Sequence, residues 1–178
     1  MEIPYHWYAV YTRSRCEKKL ASQLEEKKIE TYVPMRKTLK QWSDRKKKVE
    51  EVLIPSYVFV KVNSVNYYDV LNTPGAVKYI WFCGKPAAIP DSQILDMKRI
   101  AGCGEEVDCI PSDLLCGSRV CIAYGPLRGL TGELITLSGH KKVMIRIDSI
   151  GKAITVTINP ALLEKIKCGW TSPPVPLS

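Results

Sequence analysis

The side chains that carry most hydrolytic, redox and metal chemistry are few and scattered in this chain. Its two histidines, His6 and His140, stand in different halves, and neither neighbourhood supplies a Ser-His-Asp or Cys-His grouping. The glycine-rich run from Gly125 to Gly132 lacks the Lys-Ser or Lys-Thr pair that a phosphate-cradling loop requires, and no dinucleotide-binding glycine motif occurs. Seven cysteines are present, Cys16, Cys83, Cys103, Cys109, Cys116, Cys121 and Cys168, and no two form a C-x-x-C. A zinc knuckle from Cys103, Cys109, Cys116 and Cys121 is conceivable, because thiolates suit that ion. Their separations do not match the short loops that pre-organise such ligands, so reduced, partly buried thiols are the favoured reading. The expectation is a protein with no catalysis, no cofactor and no metal.

What the chain does offer is positive charge. Lys and Arg number 26 against 18 Asp and Glu, for a net charge of +8. Residues 1–100 hold 18 basic and 11 acidic side chains and the remainder 8 and 7, so the excess is local. It peaks where Arg36, Lys37, Lys40, Arg45, Lys46, Lys47 and Lys48 face a single acid, Asp44. Such a field draws polyanions by releasing their condensed counterions. A solvated loop kept soluble by its charge is the competing reading.

The elements that must carry these residues follow from periodicity. At 178 residues, 46% hydrophobic and 25% charged, the chain has room for one ordinary domain or two small ones, with the composition of an average soluble protein. Trp7 to Tyr11 reads as a strand, and Cys16, Leu20 and Leu24 mark an amphipathic helix capped by Ser14 and ending near Lys28. Ile29 to Val33 and Val49 to Ile54 are strand candidates, which puts the basic run at the tip of a long hairpin or in an extended loop. Pro55-Ser56 breaks the chain before the strand Tyr57 to Val62. A helical turn over Ser64 to Leu71, a strand over Val77 to Phe82, and a helix from Asp91-Ser92 to about Gly102 complete an α+β sandwich with an antiparallel sheet.

From Gly102 to Cys116 periodicity is lost and Glu105, Glu106 and Asp108 cluster, which reads as a linker. Beyond it, Val120 and Ile122, Leu134 to Leu137, Val143 to Ile147 and Ile154 to Ile158 are short strands separated by glycine-containing turns, the pattern of a small barrel. The β-branched content of the last two favours strand over helix. The expected division is 1–101, a linker over 102–116, a barrel over 117–167 and an unstructured proline-rich tail over 168–178. No apolar run approaches the roughly 20 residues that span a bilayer, and the start lacks the pattern of a secretory signal. A cytoplasmic monomer without a membrane partner is expected.

Two motifs carry a family resemblance. Gly117 to Glu133 has paired hydrophobics, then Gly125-Pro126, Gly129 and Gly132, with the glycines shaping a bend and a close approach. It resembles the KOW motif of ribosomal proteins and of the NusG family of transcription elongation factors. Trp7-Tyr8-Ala9-Val10, Val33-Pro34-Met35, Ile54-Pro55-Ser56-Tyr57-Val58-Phe59-Val60 and Thr73-Pro74-Gly75 are similar to the NusG N-terminal (NGN) domain. The likeness covers about residues 5 to 167 in the order NGN, linker, SH3-like KOW barrel. Lys40-Gln41-Trp42-Ser43-Asp44-Arg45 looks more like the operon-dedicated RfaH and UpxY paralogues, UpxY the closer. Ile54 stands where an aromatic is usual, and Ser56 where glycine is usual.

The resemblance implies a factor that suppresses pausing and termination and has no chemistry of its own. Tyr11, Ile54, Pro55, Tyr57, Phe59 and Phe82 would line an apolar depression that docks the clamp helices of RNA polymerase. Arg13, Arg15 and Lys19 would face the non-template DNA strand. In the basic run, Lys40, Trp42, Arg45, Lys46, Lys47 and Lys48 are the nucleic-acid candidates, with Trp42 either stacking on a base or packing the hairpin. The barrel would bind a small-subunit ribosomal protein or Rho. A ribosome-associated RNA-binding KOW protein is the alternative.

Overall fold

The computed structural model describes residues 4–41, 46–82, 84–113 and 117–165. Among these residues the chain runs β1 (His6–Thr12), α1 (Glu17–Glu26), β2 (Glu30–Tyr32), β3 (Met35–Gln41), β4 (Lys46–Val52), β5 (Tyr57–Val62), α2 (Tyr67–Leu71) and β6 (Ala76–Tyr79). It continues with β7 (Trp81–Phe82), β8 (Lys85–Pro86), β9 (Ala88–Ile89) and α3 (Asp91–Gly102). The second half holds β10 (Val107–Pro111), β11 (Ser118–Ile122), β12 (Thr131–Leu137), β13 (His140–Ile147), β14 (Lys152–Thr157) and β15 (Leu163–Lys165).

In the first sheet the order is β2-β5-β1-β6, with β9 also paired to β1. Because side chains alternate along a strand, β1 and β5 divide their residues between two faces. Val10, Val58, Val60 and Val62 pack against Leu20 and Leu24 of α1 and Val70 of α2. Trp7, Ala9 and Phe59 point the other way and pack against Ile94, Met97 and Ile100 of α3. Each fully buried side chain of this size contributes about 1.5–3 kcal/mol. The expected α+β sandwich with an antiparallel sheet is the fold observed.

The start of α1 differs in detail from expectation. Ser14 does not cap α1; a turn closed by the Cys16 N–H to the Arg13 carbonyl (3.1 Å), with Arg15 at φ +63°, moves the cap to Cys16. Helix α3 begins at Asp91 behind Pro90 without a side-chain cap, and Asp91 instead accepts the Trp7 indole N–H at 3.0 Å. The basic run is not confined to a tip either. Arg36, Lys37 and Lys40 lie on β3 and Lys46 to Lys48 on β4, in one antiparallel hairpin, while Trp42 and Arg45 lie outside the described residues. The strand expected over Val77 to Phe82 divides at Ile80, whose N–H bonds the Ala9 carbonyl.

The second sheet is antiparallel in the order β10-β14-β13-β12-β11-β15. Its strands β13 and β14 cover the two β-branched segments expected to resist helix. The segment read as a linker contains β10, which pairs with the edge of β14 from Val107↔Val156 to Pro111↔Lys152. Its acids serve the sheet rather than solvent: Val107 is buried, while Glu106 and Asp108 hold Lys142, a lysine only 5% exposed. Residues 168–178, expected to be unstructured, lie outside the described residues. Helix α3 joins the two sheets. The Gln93 amide donates to the Arg146 carbonyl (2.9 Å) and Arg99 to the Pro126 and Arg128 carbonyls (3.2 and 2.7 Å), and one apolar cluster runs from Trp7 and Phe59 through α3 to Val120 and Ile122. No helix among the described residues is long and apolar enough to cross a membrane.

Candidate functional site

The aromatic positions lie on the α3 face of the first sheet, and their fates differ along it. In register, Trp7 faces Lys61, Ala9 faces Phe59 and Tyr11 faces Tyr57. The Ala9–Phe59 pair is sealed, whereas Tyr11 is 37% exposed and Tyr57 half-buried. The two tyrosine rings meet edge-on, 5.6 Å apart at 80°, a favoured geometry for a rigid aromatic pair. Pro55 is exposed beside them, and Phe82 is exposed on β7 next to the equally open Trp81. Ile54 and Phe59 do not line an open surface: both are fully buried in the cluster that includes α3 and the barrel. Strand alternation names the face on which a residue lies, and it does not say how far a packed helix covers that face. Burial pushes the Tyr57 hydroxyl pKa up, with added repulsion from Tyr11 and from Cys109 on β10, so the barrel's edge strand borders this site.

The turn that presents Pro55 and Tyr57 is held from behind. Ser56 adopts φ +64°. Its carbonyl accepts the Thr12 N–H at 2.9 Å, and its own N–H donates to Glu17 Oε1 at 2.7 Å. Glu17 is a buried carboxylate on the first turn of α1. Sequence reasoning passed over it as an ordinary polar residue of an amphipathic helix; the signal available was a serine in a turn that favours glycine.

The cations form two groups. Arg13, Arg15 and Lys19 are exposed around the start of α1 and make no ion pair among the described residues. On the hairpin, the pairing changes along its length. Near its base Arg36 faces Glu51 and Lys37 faces Glu50, while towards its tip Lys40 faces Lys47 and Gln41 faces Lys46. Arg36 bridges Glu51 at 3.6 Å and also donates to Asp108 and to the Val107 carbonyl of β10.

In the barrel, Gly129 sits at φ +83°, and a Cβ on Gly132 would come within 2.7 Å of the Met144 carbonyl oxygen. Gly125 and Pro126 form the exposed bend whose carbonyl Arg99 grips. Of the cysteines, Cys16, Cys103, Cys109 and Cys121 lie among the described residues. Burial pushes the thiols of Cys103 and Cys109 up, which favours the protonated form over the thiolate a metal requires. Among the described residues no group of three or more His, Cys, Asp or Glu is arranged to hold a metal ion, and Cys116 lies outside them.

Comparison with known proteins supplies the family. A family model described as transcription termination factor nusG matches residues 5–98. The chain is 26% identical over 175 residues to the transcription termination/antitermination protein NusG of Lactococcus lactis subsp. lactis, covering 90% of this chain and 93% of that one. It is 27% identical over 177 residues to its counterpart in Staphylococcus carnosus, covering 90% and 95%. A solved structure described as "Domain interaction in Thermotoga maritima NusG" matches with a TM-score of 0.58 and 24% identity over 92% of this chain and 98% of that one, a likeness of fold.

Proposed function

The chain belongs to the NusG family, whose members work with RNA polymerase in transcription, and we propose that it is an elongation and antitermination factor that rides on the enzyme in the cytoplasm and suppresses pausing. The observation that carries this reading is the open end of the aromatic face: the edge-on pair Tyr11 and Tyr57 beside exposed Pro55. Rigid aromatic anchors in a shallow apolar depression suit the tip of a helical coiled coil such as the polymerase clamp helices. Phe82 extends the depression from β7.

Arg13, Arg15 and Lys19 then contact the phosphates of the non-template DNA strand. The distal hairpin, with Lys40, Trp42, Arg45, Lys46, Lys47 and Lys48, supplies a second cationic arm. Phosphate contacts hold a strand without reading it, and Pro74 stands where the RfaH-type pattern has a basic residue, so sequence choice rests elsewhere. The Lys40 to Arg45 sequence and the Val33-Pro34-Met35 step support a factor dedicated to particular operons rather than a general one. The barrel's partner in this scheme is a small-subunit ribosomal protein or Rho. The protein has no catalytic role of its own.

The test is a transcription assay with purified polymerase on a template with a strong pause. Wild-type protein shortens the pause; Tyr57→Ala abolishes the effect; replacing Arg45, Lys46, Lys47 and Lys48 with glutamine weakens it and makes it salt-sensitive. An unchanged pause with wild-type protein, together with capture of ribosomal particles rather than polymerase from lysate, overturns this reading in favour of an RNA-binding KOW protein.

A further inference from the structure

A serine at φ +64° is in the region that glycine occupies freely and other residues avoid. Ser56 is kept there by bonds to both sides of its peptide unit: the Thr12 N–H to its carbonyl at 2.9 Å, and its own N–H to Glu17 Oε1 at 2.7 Å. Glu17 is 5% exposed and has no ion-pair partner among the described residues. A carboxylate buried without a cation is costly unless hydrogen bonds satisfy it, so its one charge-assisted bond to Ser56 is the strong kind. The same carboxylate sits in the first turn of α1, between exposed Arg15 and Lys19. The Arg13 N–H meanwhile ties that loop to the Gly75 carbonyl at 3.0 Å.

From this arrangement we infer that Glu17 is a positioning residue. It fixes the turn Pro55-Ser56-Tyr57 against the cationic loop Arg13 to Lys19, so that the polymerase-facing rings and the DNA-facing cations are presented in one fixed register. The inference rests on the proposed docking at Tyr57. A glycine at position 56 would take the same backbone geometry unaided, so it is the serine that makes this chain depend on the carboxylate.

The experiment compares the full chain carrying Glu17→Ala, Glu17→Gln, Ser56→Gly, and Glu17→Ala with Ser56→Gly, by polymerase affinity well below the melting transition and by amide exchange at Ser56. Glu17→Ala weakens affinity about ten-fold, as loss of a charge-assisted bond to the docking turn requires, and speeds Ser56 exchange by at least about ten-fold. Glu17→Gln, which keeps an acceptor oxygen, falls between that variant and wild type. With glycine at position 56 the penalty disappears: Glu17→Ala combined with Ser56→Gly binds within about three-fold of Ser56→Gly alone, because glycine needs no latch. A merely structural role for Glu17 lowers the melting temperature and is not rescued in affinity by glycine at position 56. Unchanged Ser56 exchange in Glu17→Ala, or an affinity loss that the double variant does not recover, overturns the inference. Unchanged affinity in Tyr57→Ala overturns the docking reading instead, and the Ser56 exchange rates then still decide whether Glu17 holds the turn.

Discussion

The aromatic turn and the basic hairpin are both binding surfaces on one small domain, and they are built by opposite physics. The turn is positioned by burial: Phe59 and Ile54 behind it are sealed, Glu17 grips Ser56, and only Pro55, Tyr11 and part of Tyr57 emerge. The hairpin is positioned by its strand register and by the bonds of Arg36 to Glu51 and to β10, and the register sets Glu50 and Glu51 opposite cations at the base and Lys47 opposite Lys40 farther out. An interface of the first kind is indifferent to salt. One of the second kind is governed by it.

The largest effect expected from breaking this contrast comes at Tyr57. Truncating a central aromatic anchor costs roughly 2 kcal/mol or more, so Tyr57→Ala should weaken polymerase binding about thirty-fold. The loss should be nearly the same at low and high salt in equilibrium binding measurements. Next, converting Lys46, Lys47 and Lys48 together to glutamine should weaken single-stranded DNA binding about ten-fold at low salt and flatten the plot of log affinity against log salt by about 2. Polymerase affinity in the absence of nucleic acid should hardly move. An equal salt response in both assays would mean that the two surfaces are not separate.

The fold was largely legible because alternation and β-branching speak directly to strands: Tyr57 to Val62, and β13 and β14, needed little else. Strand β10 was lost because its acids looked like a solvated linker, and only the coordinates pair Asp108 with Lys142 and Arg36. Tyr57 and Phe59 are two residues apart on one face, so the pattern treats them alike. Whether each is open depends on how far α3 reaches across the sheet, a long-range fact with no local signature. Glu17 was hidden for the same reason, since its partner Ser56 is 39 positions away.

A finer cut separates the base of the hairpin from its tip. Arg36 is already engaged by Glu51, by Asp108 and by the Val107 carbonyl, so it has little charge to lend to a polyanion. Arg36→Gln should therefore change DNA affinity by no more than about two-fold. Unfolding stability should fall by about 1 kcal/mol in denaturant titrations, from the lost bonds to β10. A salt slope altered as much as by the lysine substitutions would erase the distinction between base and tip.

The smallest expected change is one of pH. Burial holds the Tyr57 hydroxyl above the ordinary tyrosine range, and that of Tyr32, on the strand beside Phe59, is pushed up to about 12. A group whose folded pKa is raised adds stability that is fully present below its unfolded value near 10 and is lost as pH rises through the folded value. Polymerase affinity measured with the aromatic turn intact should thus be flat from about pH 6 to pH 9, because the raised Tyr57 hydroxyl keeps its proton through that window. Ultraviolet titration should show a fraction of the tyrosines ionising above pH 10, and Tyr32→Phe should remove the latest part of that transition. If docking affinity fell while the Tyr57 hydroxyl was still protonated, an ionising group would have to lie in the contact, and the apolar character assigned to the turn would have to be given up.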